Sequence, residues 1–187
     1  MVEQINGAGL DRVVLAGHSL GGLVLPLVAQ LLGDRVRHVV FVSALVAEDA
    51  ARAPDTLPPP LRQIVTRQLS RIAARPGATV TLPPWSVRFY FCNGLSAADT
   101  DEMVRRVCPE PAAPLADRLP AAKLPPELPR TYLGFRSDRA IPPVVQRQFA
   151  RSIGAPWISV EGGHDGFISN AGSVARILEW VARDSLG

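Results

Sequence analysis

The 187-residue sequence carries a formal net charge of +3 and is 47% hydrophobic, which is typical of a soluble globular protein with one sizeable core. Its basic residues are scattered along the chain, which gives little support for a nucleic-acid partner. No apolar run approaches the ~20 residues of a membrane span, and residues 1–4 do not resemble the start of a signal peptide. Cys92 and Cys108 lack metal-ligand spacing and are predicted to be free thiols, which indicates a cytoplasmic protein.

The first predicted strand, residues 11–16, leads directly into a G-x-S-x-G motif, and an apolar helical pattern follows. The motif is Gly17-His18-Ser19-Leu20-Gly21. A strand, this motif and a helix in succession are typical of a nucleophile elbow, a strained turn that presents a serine hydroxyl at the end of a sheet. We therefore predict that Ser19 is a nucleophile, against the alternative of an ordinary glycine-rich turn. A side chain at position 17 or 21 is expected to collide with the other limb of the turn.

The elbow belongs to a predicted strand–helix–strand unit. The helix covers residues 20–32, with a slight kink expected at Pro26 because proline removes a backbone hydrogen bond, and Gly33 is expected to end it. The next predicted strand covers residues 36–43. Continuous apolar runs of this kind are typical of strands buried on both faces of a parallel sheet.

The composition changes after residue 47, because most of the 18 prolines lie between residues 48 and 129. We interpret this stretch as a lid inserted between two strands of the sheet. The patterns within it predict helices over residues 61–74 and 96–107, the second capped by Ser96, and short strands over residues 80–82 and 87–91. The candidates for its wall over a site, for which core packing is an equal alternative, are Trp85, Phe89, Tyr90 and Phe91.

The sheet pattern returns after this insertion. Strands are predicted over residues 130–135 and 157–160, with a helix between them that begins near Pro142 and ends near residue 152. A final helix is predicted after Asn170, which can cap it. Residues 1–47 and 130–187 together form the predicted α/β core.

Three histidines are candidates for activating a serine hydroxyl, which needs a base to take its proton. His18 lies inside the elbow and is expected to point elsewhere. His38 lies within a predicted strand, where a structural histidine is the simpler interpretation. His164 lies in a glycine-rich loop after the last strand, where the carboxyl ends of parallel strands converge. We therefore predict that His164 is the general base, against the alternative of a solvent-exposed loop histidine.

An acidic residue must hold the tautomer of that base. Asp138 directly follows a predicted strand and gives the chain order Ser, Asp, His, so it is the favoured candidate. Capping of the helix that begins near Pro142 is the alternative role for it. Glu48 and Asp49 are rivals, and so is Asp165, although its adjacency to the base makes a straight hydrogen bond to that ring awkward.

With these residues the chain resembles the α/β-hydrolase superfamily, and within it the small esterase branch that includes plant methylesterases and hydroxynitrile lyases. The resemblance covers nearly the whole chain and implies a mostly parallel sheet flanked by helices, with an inserted, mainly helical lid. It rests on three blocks of sequence, which are Val14-Leu15-Ala16-Gly17-His18-Ser19-Leu20-Gly21-Gly22, Ser137-Asp138-Arg139-Ala140-Ile141-Pro142 and Val160-Glu161-Gly162-Gly163-His164.

The chain departs from that branch in two respects. The family places its elbow after several strands, so we expect this chain to lack the N-terminal part of the sheet and the second oxyanion donor that this part carries. The exposed apolar edge would then favour pairing with a second copy of the chain. Lyases of the branch carry a lysine directly after the histidine, where this chain has Asp165, which favours an esterase. Relatives that open epoxides or dehalogenate use an aspartate at the position of Ser19.

The resulting hypothesis is a serine hydrolase that acts on a small carboxylic ester through Ser19, His164 and Asp138. The backbone N–H of Leu20, at the start of the helix after the elbow, is the predicted oxyanion donor. No cofactor or metal is required. The expected partners are the ester substrate and, through the exposed sheet edge, a second copy of the chain, without nucleic acid or membrane. The open alternatives are an inactive or partner-dependent hydrolase-fold protein, a ligand receptor on the same scaffold, and a hydroxynitrile lyase.

Overall fold

The computed structural model describes residues 1–47, 52–56 and 61–187. The strands in this part of the chain are β1 (Val13–Ser19), β2 (Val36–Ala44), β3 (Thr79–Val80), β4 (Glu110–Pro111), β5 (Arg130–Phe135) and β6 (Trp157–Val160). Four of them form a fully parallel sheet in the order β1-β2-β5-β6. The other two strands, β3 and β4, form a separate antiparallel pair.

Helices connect these strands and cover the sheet. Those of the described ranges are α1 (Val2–Gly7), α2 (Leu25–Leu32), α3 (Leu61–Ala73), α4 (Pro84–Ser86), α5 (Ala97–Arg106), α6 (Ala113–Ala116), α7 (Pro143–Ser152), α8 (Gly166–Ser169) and α9 (Ala171–Leu186). Short 3-10 turns cover Leu20–Leu23, Gly33–Arg35 and Ala53–Thr56, and a π-helical turn covers Val87–Phe91. None of the described helices is both long and apolar enough to cross a bilayer.

The two inner strands of the sheet, β2 and β5, are buried along most of their length, as the continuous apolar run of β2 predicts. Successive side chains of a strand point to opposite faces. Val39 and Phe41 of β2 therefore pack in one cluster with α2, whereas Val40 and Val42 pack in a second cluster with α9. The helices thus form a layer on each side of the sheet, and the site must lie at the sheet's ends.

The predicted core elements are confirmed with small shifts at their ends. β5 and β6 have the predicted bounds, while β1 extends to Ser19 and β2 to Ala44. Gly33 ends α2 with a φ of 58°, a backbone conformation that favours glycine. The kink expected at Pro26 is wrong. This proline lies in the first turn of α2, behind the 3-10 turn, where a missing N–H removes no helical hydrogen bond.

The strand predicted over residues 87–91 is also wrong, because this stretch is helical and continues α4. Pro84 occupies the first turn of α4, and the N–H groups of Ser86 and Val87 both donate to the carbonyl of Pro83. This start places the following aromatic residues in a helical turn despite their preference for strands. The strand predicted over residues 80–82 shortens to Thr79–Val80.

Two predicted caps have different outcomes. Ser96 caps α5, since its Oγ accepts a hydrogen bond of 3.1 Å from the N–H of Asp99. Asn170 occupies the capping position of α9, but its amide donates to the carbonyl of Glu161 at 2.8 Å. Asn170 therefore ties the last loop to the helix. The preceding short helix α8 is absent from the predicted elements.

The inserted segment, residues 48–129, is mainly helical in its described parts. Trp85, Phe89 and Tyr90 lie on its surface with exposed fractions of 66%, 50% and 40%. Its division from the core and its role as a lid stay predictions. Within the described ranges β1 pairs only with β2, and association of its other edge with a second copy also stays a prediction.

Candidate active site

The carboxyl ends of the four parallel strands direct polar side chains into one cluster. Ser19 is the last residue of β1, and Ser43 lies near the end of β2. Asp138 follows β5, and His164 follows β6. Because parallel strands end on the same side of a sheet, residues from distant parts of the chain meet there. The structure thus brings together the three residues that the sequence nominates as nucleophile, acid and base.

These three side chains form a continuous hydrogen-bonded chain. The imidazole Nδ1 of His164 lies 2.8 Å from Oδ2 of Asp138, and its Nε2 lies 2.9 Å from Oγ of Ser19. His164 is 1% exposed and Asp138 is 4% exposed. The carboxylate accepts the Nδ1–H bond and so leaves Nε2 as the acceptor for the serine hydroxyl. The arrangement allows a proton to pass from serine to histidine.

The turn that carries Ser19 has the strained backbone of an elbow. Ser19 has a φ of 52°, a conformation that non-glycine residues rarely adopt. A Cβ at Gly17 would lie 3.0 Å from the backbone of Gly21, as expected. The expectation for Gly21 is wrong, because among the described residues nothing lies within 4 Å of a Cβ placed there. The close approach falls instead at Gly22, whose Cβ would lie 2.4 Å from the carbonyl oxygen of Leu45.

The first carboxylate oxygen of Asp138 orders its own turn. Oδ1 accepts hydrogen bonds of 2.8 Å from the backbone N–H groups of Ala140 and Ile141. Pro142 occupies the N-cap position of the following helix, α7, which has no side-chain cap among the described residues. The alternative role for Asp138, capping of this helix, is therefore wrong, because its oxygen binds N–H groups of the turn before the helix. This turn uses one oxygen, and the other oxygen remains available to His164.

The second carboxylate oxygen binds two further donors that the sequence analysis missed. Oδ2 of Asp138 accepts from Nε2 of Gln146 at 3.0 Å and from Oγ of Ser43. Both donors are 0% exposed, and Ser43 has a φ of 38°. Hydrogen bonds from buried donors stabilise the anionic carboxylate where water cannot.

Each of these donors left a weak sequence signal. Ser43 is a polar residue at the end of a buried apolar strand, which is the same position that pointed to Asp138. Gln146 is a polar residue on the core side of α7, near the apolar Val145 and Phe149. Neither pattern alone predicts which side chain the donor will meet.

The prediction that His18 points away from the site is wrong. Its Nε2 donates to the backbone carbonyl of His164 at 3.0 Å, and the two rings lie 4.6 Å apart. Burial lowers the pKa of His18 to about 4, and the nearby His164 contributes to the same effect. The imidazole is therefore neutral at neutral pH. Its 3.9 Å approach to Asp165 is consequently not an ion pair under those conditions.

The remaining candidates take other roles. His38 is the structural histidine that its strand position predicts, with ring nitrogens 3.0 Å from Ser185 Oγ and 2.9 Å from Thr131 Oγ1. Asp165 lies beside His18, and burial raises the pKa of its carboxyl. The other two rivals for the acid, Glu48 and Asp49, lie outside the described residues.

Two features surround the reacting groups. Leu20 begins the 3-10 turn after Ser19, so its N–H is one of the first in that turn and has no helical partner, and its role as oxyanion donor stays a prediction. The ring of Phe91 meets the ring of His164 edge-on, with centroids 5.2 Å apart. Within the described ranges no group of three or more His, Cys, Asp or Glu side chains is arranged to hold a metal ion.

The sequence profile of the Alpha/beta hydrolase family matches residues 2–177. The chain belongs to this family. A similar solved structure is an extracellular alpha/beta-hydrolase from a Paenibacillus species, reported to share structural and functional homology with tobacco salicylic acid binding protein 2. It has 27% identity and a TM-score of 0.77, and the match covers 97% of this chain and 75% of that one. No curated protein sequence matches significantly.

Two solved structures of lower sequence identity show the same fold. A methylesterase from Arabidopsis has 18% identity and a TM-score of 0.70, over 92% of this chain and 70% of that one. A thermophilic esterase from Thermogutta terrifontis has 20% identity and a TM-score of 0.63, over 97% and 69%. This chain thus spans about three quarters or less of the length of these structures. At these identities the likeness concerns the fold.

Proposed function

We propose that this alpha/beta hydrolase is a serine esterase that cleaves small carboxylic esters. The observation that carries the proposal is the hydrogen-bonded series from Ser19 Oγ through His164 to Asp138. Its geometry matches the roles of nucleophile, general base and orienting acid. The 27% identity with the Paenibacillus hydrolase supports hydrolysis as the reaction class.

In the first half of the reaction, Nε2 of His164 takes the proton from Ser19 Oγ as the oxygen attacks the ester carbonyl carbon. The carbonyl oxygen gains negative charge in the tetrahedral intermediate, and the N–H of Leu20 donates to it. When the carbonyl re-forms, the bond to the alkoxy oxygen breaks. His164 gives its proton to that oxygen, and the alcohol leaves an acyl group on Ser19.

In the second half, water attacks the acyl carbon while His164 takes a proton from it. The second tetrahedral intermediate then collapses, Ser19 regains its proton from His164, and the carboxylic acid leaves. Throughout both halves the carboxylate of Asp138 accepts the Nδ1–H bond of His164 and stabilises the imidazolium. Its four donors other than His164 hold the carboxylate in place for this purpose.

Aromatic side chains of the inserted segment lie beside the proposed base. Phe91 lies against the base, and the exposed rings of Phe89 and Tyr90 lie two residues or fewer away along the same helical turn. We propose that this turn forms one side of the acyl or alcohol pocket and that the segment acts as a lid. Substrates with long chains would then react more slowly than acetates and butyrates.

A fluorophosphonate probe and p-nitrophenyl acetate test the proposed chemistry. We expect the probe to label Ser19 and the acetate to be hydrolysed. Ser19→Ala should abolish both, and Asp138→Asn should lower kcat by about 10⁴-fold. Folded protein that hydrolyses no ester and forms no adduct would refute the esterase. Tight ligand binding without turnover would instead support a receptor.

We also propose a reducing compartment, the cytoplasm, for this protein. Cys92 and Cys108 are both free thiols, which supports the proposal. Fractionation of the source cells tests it, and recovery of the protein in the culture medium, as for the extracellular Paenibacillus relative, would contradict it.

A further inference from the structure

Asn93 of the inserted segment contacts the turn that carries the acid. It lies between the π-helical turn after α4 and the start of α5. Its side-chain Nδ2 donates to the backbone carbonyl of Ser137 at 2.6 Å, across 44 positions of sequence. Ser137 is the residue directly before Asp138. A side chain from outside the core therefore holds the backbone next to the acid.

The same residue also contacts the turn that carries the base. Gly163 directly precedes His164, and a Cβ at Gly163 would lie 1.9 Å from the carbonyl oxygen of Asn93 and 2.6 Å from its Oδ1. Real Cβ atoms do not approach other heavy atoms so closely. The contact thus requires glycine at position 163. Asn93 is consequently wedged between the immediate neighbours of the acid and the base.

One polar atom of the Asn93 side chain lacks a hydrogen bond within the described part of the chain, which lowers the stability of the fold. Its Oδ1 is buried and finds no hydrogen-bond partner among the described residues. A buried amide oxygen without a partner costs about 1–3 kcal/mol. Unsatisfied groups of this kind are uncommon in native structures and call for a reason. Here the unpartnered Oδ1 lies against Gly163 while Nδ2 of the same amide donates to Ser137, so the amide is held between the two turns.

We propose that Asn93 is a positioning residue, which couples the inserted segment to the hydrogen bond between Asp138 and His164. The inference rests on the proposed esterase function. Among the described residues the core itself joins the two turns through the N–H of Ser137 and the carbonyl of Gly162 at 3.0 Å, and through the exposed ion pair of Arg136 with Glu161 at 2.8 Å. Asn93 adds a contact that lies closer to the acid and the base, because it meets the residues directly before Asp138 and His164. When the inserted segment moves so that Asn93 no longer contacts Ser137 and Gly163, the two turns can separate and the imidazole of His164 loses its orientation.

The ring of Phe91 completes this coupling. Phe91 lies two positions before Asn93 and meets the imidazole of His164 edge-on at 5.2 Å. The segment thus touches the base directly through Phe91 and touches the supports of acid and base through Asn93. In this proposal the contacts of the inserted segment therefore hold the acid and the base in their reactive arrangement, in addition to covering the site.

Asn93→Ala tests the coupling through kcat and its pH dependence. We expect kcat for p-nitrophenyl acetate to fall about 10- to 100-fold with little change in KM, because small misplacements of reacting groups have effects of this size. The acidic limb of the pH–rate profile should move to lower pH, since a poorly held carboxylate stabilises the imidazolium less. Ser96→Ala is the matched control. It removes the cap of α5 three residues further on and leaves the contacts of Asn93 intact.

A double-mutant cycle separates this role from a general effect of the segment. In the Asp138→Asn background, Asn93→Ala should lower kcat by less than about twofold, because the interaction that it supports is already lost. The rate of Ser19 labelling by the fluorophosphonate gives the same comparison when turnover is slow. Effects of the two substitutions that simply multiply would overturn the proposal.

A proton NMR readout keeps this test independent of catalysis. The low-field Nδ1–H resonance of His164 reports its hydrogen bond to Asp138, and Asn93→Ala should broaden or remove it in protein with native circular dichroism. Asn93→Ser, which is too short to reach Ser137, serves if the alanine variant does not fold. An unchanged resonance with unchanged kcat refutes the role of Asn93. A wild-type protein without turnover or labelling refutes the esterase alone, and the resonance still decides the question of Asn93.

Discussion

Replacing His18 with glutamine should remove a measurable part of the acid sensitivity of the fold. Burial lowers the pKa of His18 from 6.5 to about 4, with the charge of His164 as the second cause. A glutamine amide can donate to the carbonyl of His164 in place of the imidazole Nε2–H, whose hydrogen bond is 3.0 Å long. It does not titrate, however. His18→Gln therefore isolates the effect of protonation from the effect of the contact.

The direction follows from the state that binds the proton. Between pH 6.5 and about pH 4 the unfolded chain protonates this imidazole and the native protein does not. The neutral, buried imidazole of His18 therefore makes its full contribution to the free energy of unfolding above pH 6.5, and this contribution is lost as the pH is lowered toward 4. The full difference is about 3 kcal/mol, and about 2 kcal/mol of it is lost by a pH of about 5.

Urea unfolding followed by circular dichroism at pH 7.5 and pH 5 measures this effect. Wild-type protein should lose about 2 kcal/mol more than His18→Gln between the two conditions. His38, whose pKa burial also lowers, contributes equally to both proteins and cancels. His38→Gln is the control and should retain the part due to His18. Equal losses in wild type and His18→Gln would refute the reasoning.

Three further substitutions or labels test the surroundings of the site. Gly22→Ala should lower the free energy of unfolding by about 1–3 kcal/mol, since its Cβ would meet the carbonyl oxygen of Leu45 at 2.4 Å. Gly21→Ala is the control and should have little effect in the same urea titration, because a Cβ there has open space among the described residues. A larger loss for Gly21→Ala than for Gly22→Ala would contradict the packing. Ser43→Ala should cost about 1.5–3 kcal/mol, because a buried hydrogen bond to the carboxylate of Asp138 is lost, and unchanged unfolding would show that this bond contributes nothing. A thiol reagent should label Cys108 rapidly and Cys92 only after unfolding, because Cys92 is buried with a raised pKa; rapid labelling of both in native protein would argue against the described burial.

The parallel core could be predicted from sequence because its signals are local and redundant. The apolar runs of β1 and β2 are long enough to indicate burial on both faces, and the elbow glycines surround Ser19 in a recognisable order. Asp138 and His164 could be nominated because each follows a strand that ends at the same side of the sheet. These two predictions therefore rested on where the residues lie relative to the strands, and not on the residues beside them in sequence.

The supporting contacts could not be predicted because they join residues that are distant in sequence. Ser43 meets Asp138 across 95 positions, and Asn93 meets Ser137 across 44. No spacing rule links such pairs. The close contact was expected at Gly21 and occurs at Gly22 for the same reason. The atom that a Cβ at Gly22 would meet belongs to the backbone of Leu45, which follows a different strand, β2.

The helical turn at residues 87–91 shows the opposite failure, in which a local preference was overruled. Valine and aromatic residues favour strands. Here, however, Pro83 and Pro84 begin a helix, and residues 87–91 continue it. Phe91 reaches His164 from that helical turn. A one-dimensional propensity therefore missed the element that touches the base.

The separation of 145 positions between Ser19 and His164 has a consequence for biosynthesis. Ser19 ends one edge strand of the described sheet and His164 follows the other, so their meeting depends on the assembly of all four parallel strands. Under the proposed function, a ribosome that has translated the elbow and the inserted segment holds a polypeptide with the proposed nucleophile but without its proposed base. We therefore expect the nascent chain to be inactive until β6 and the loop that carries His164 have emerged and joined the sheet.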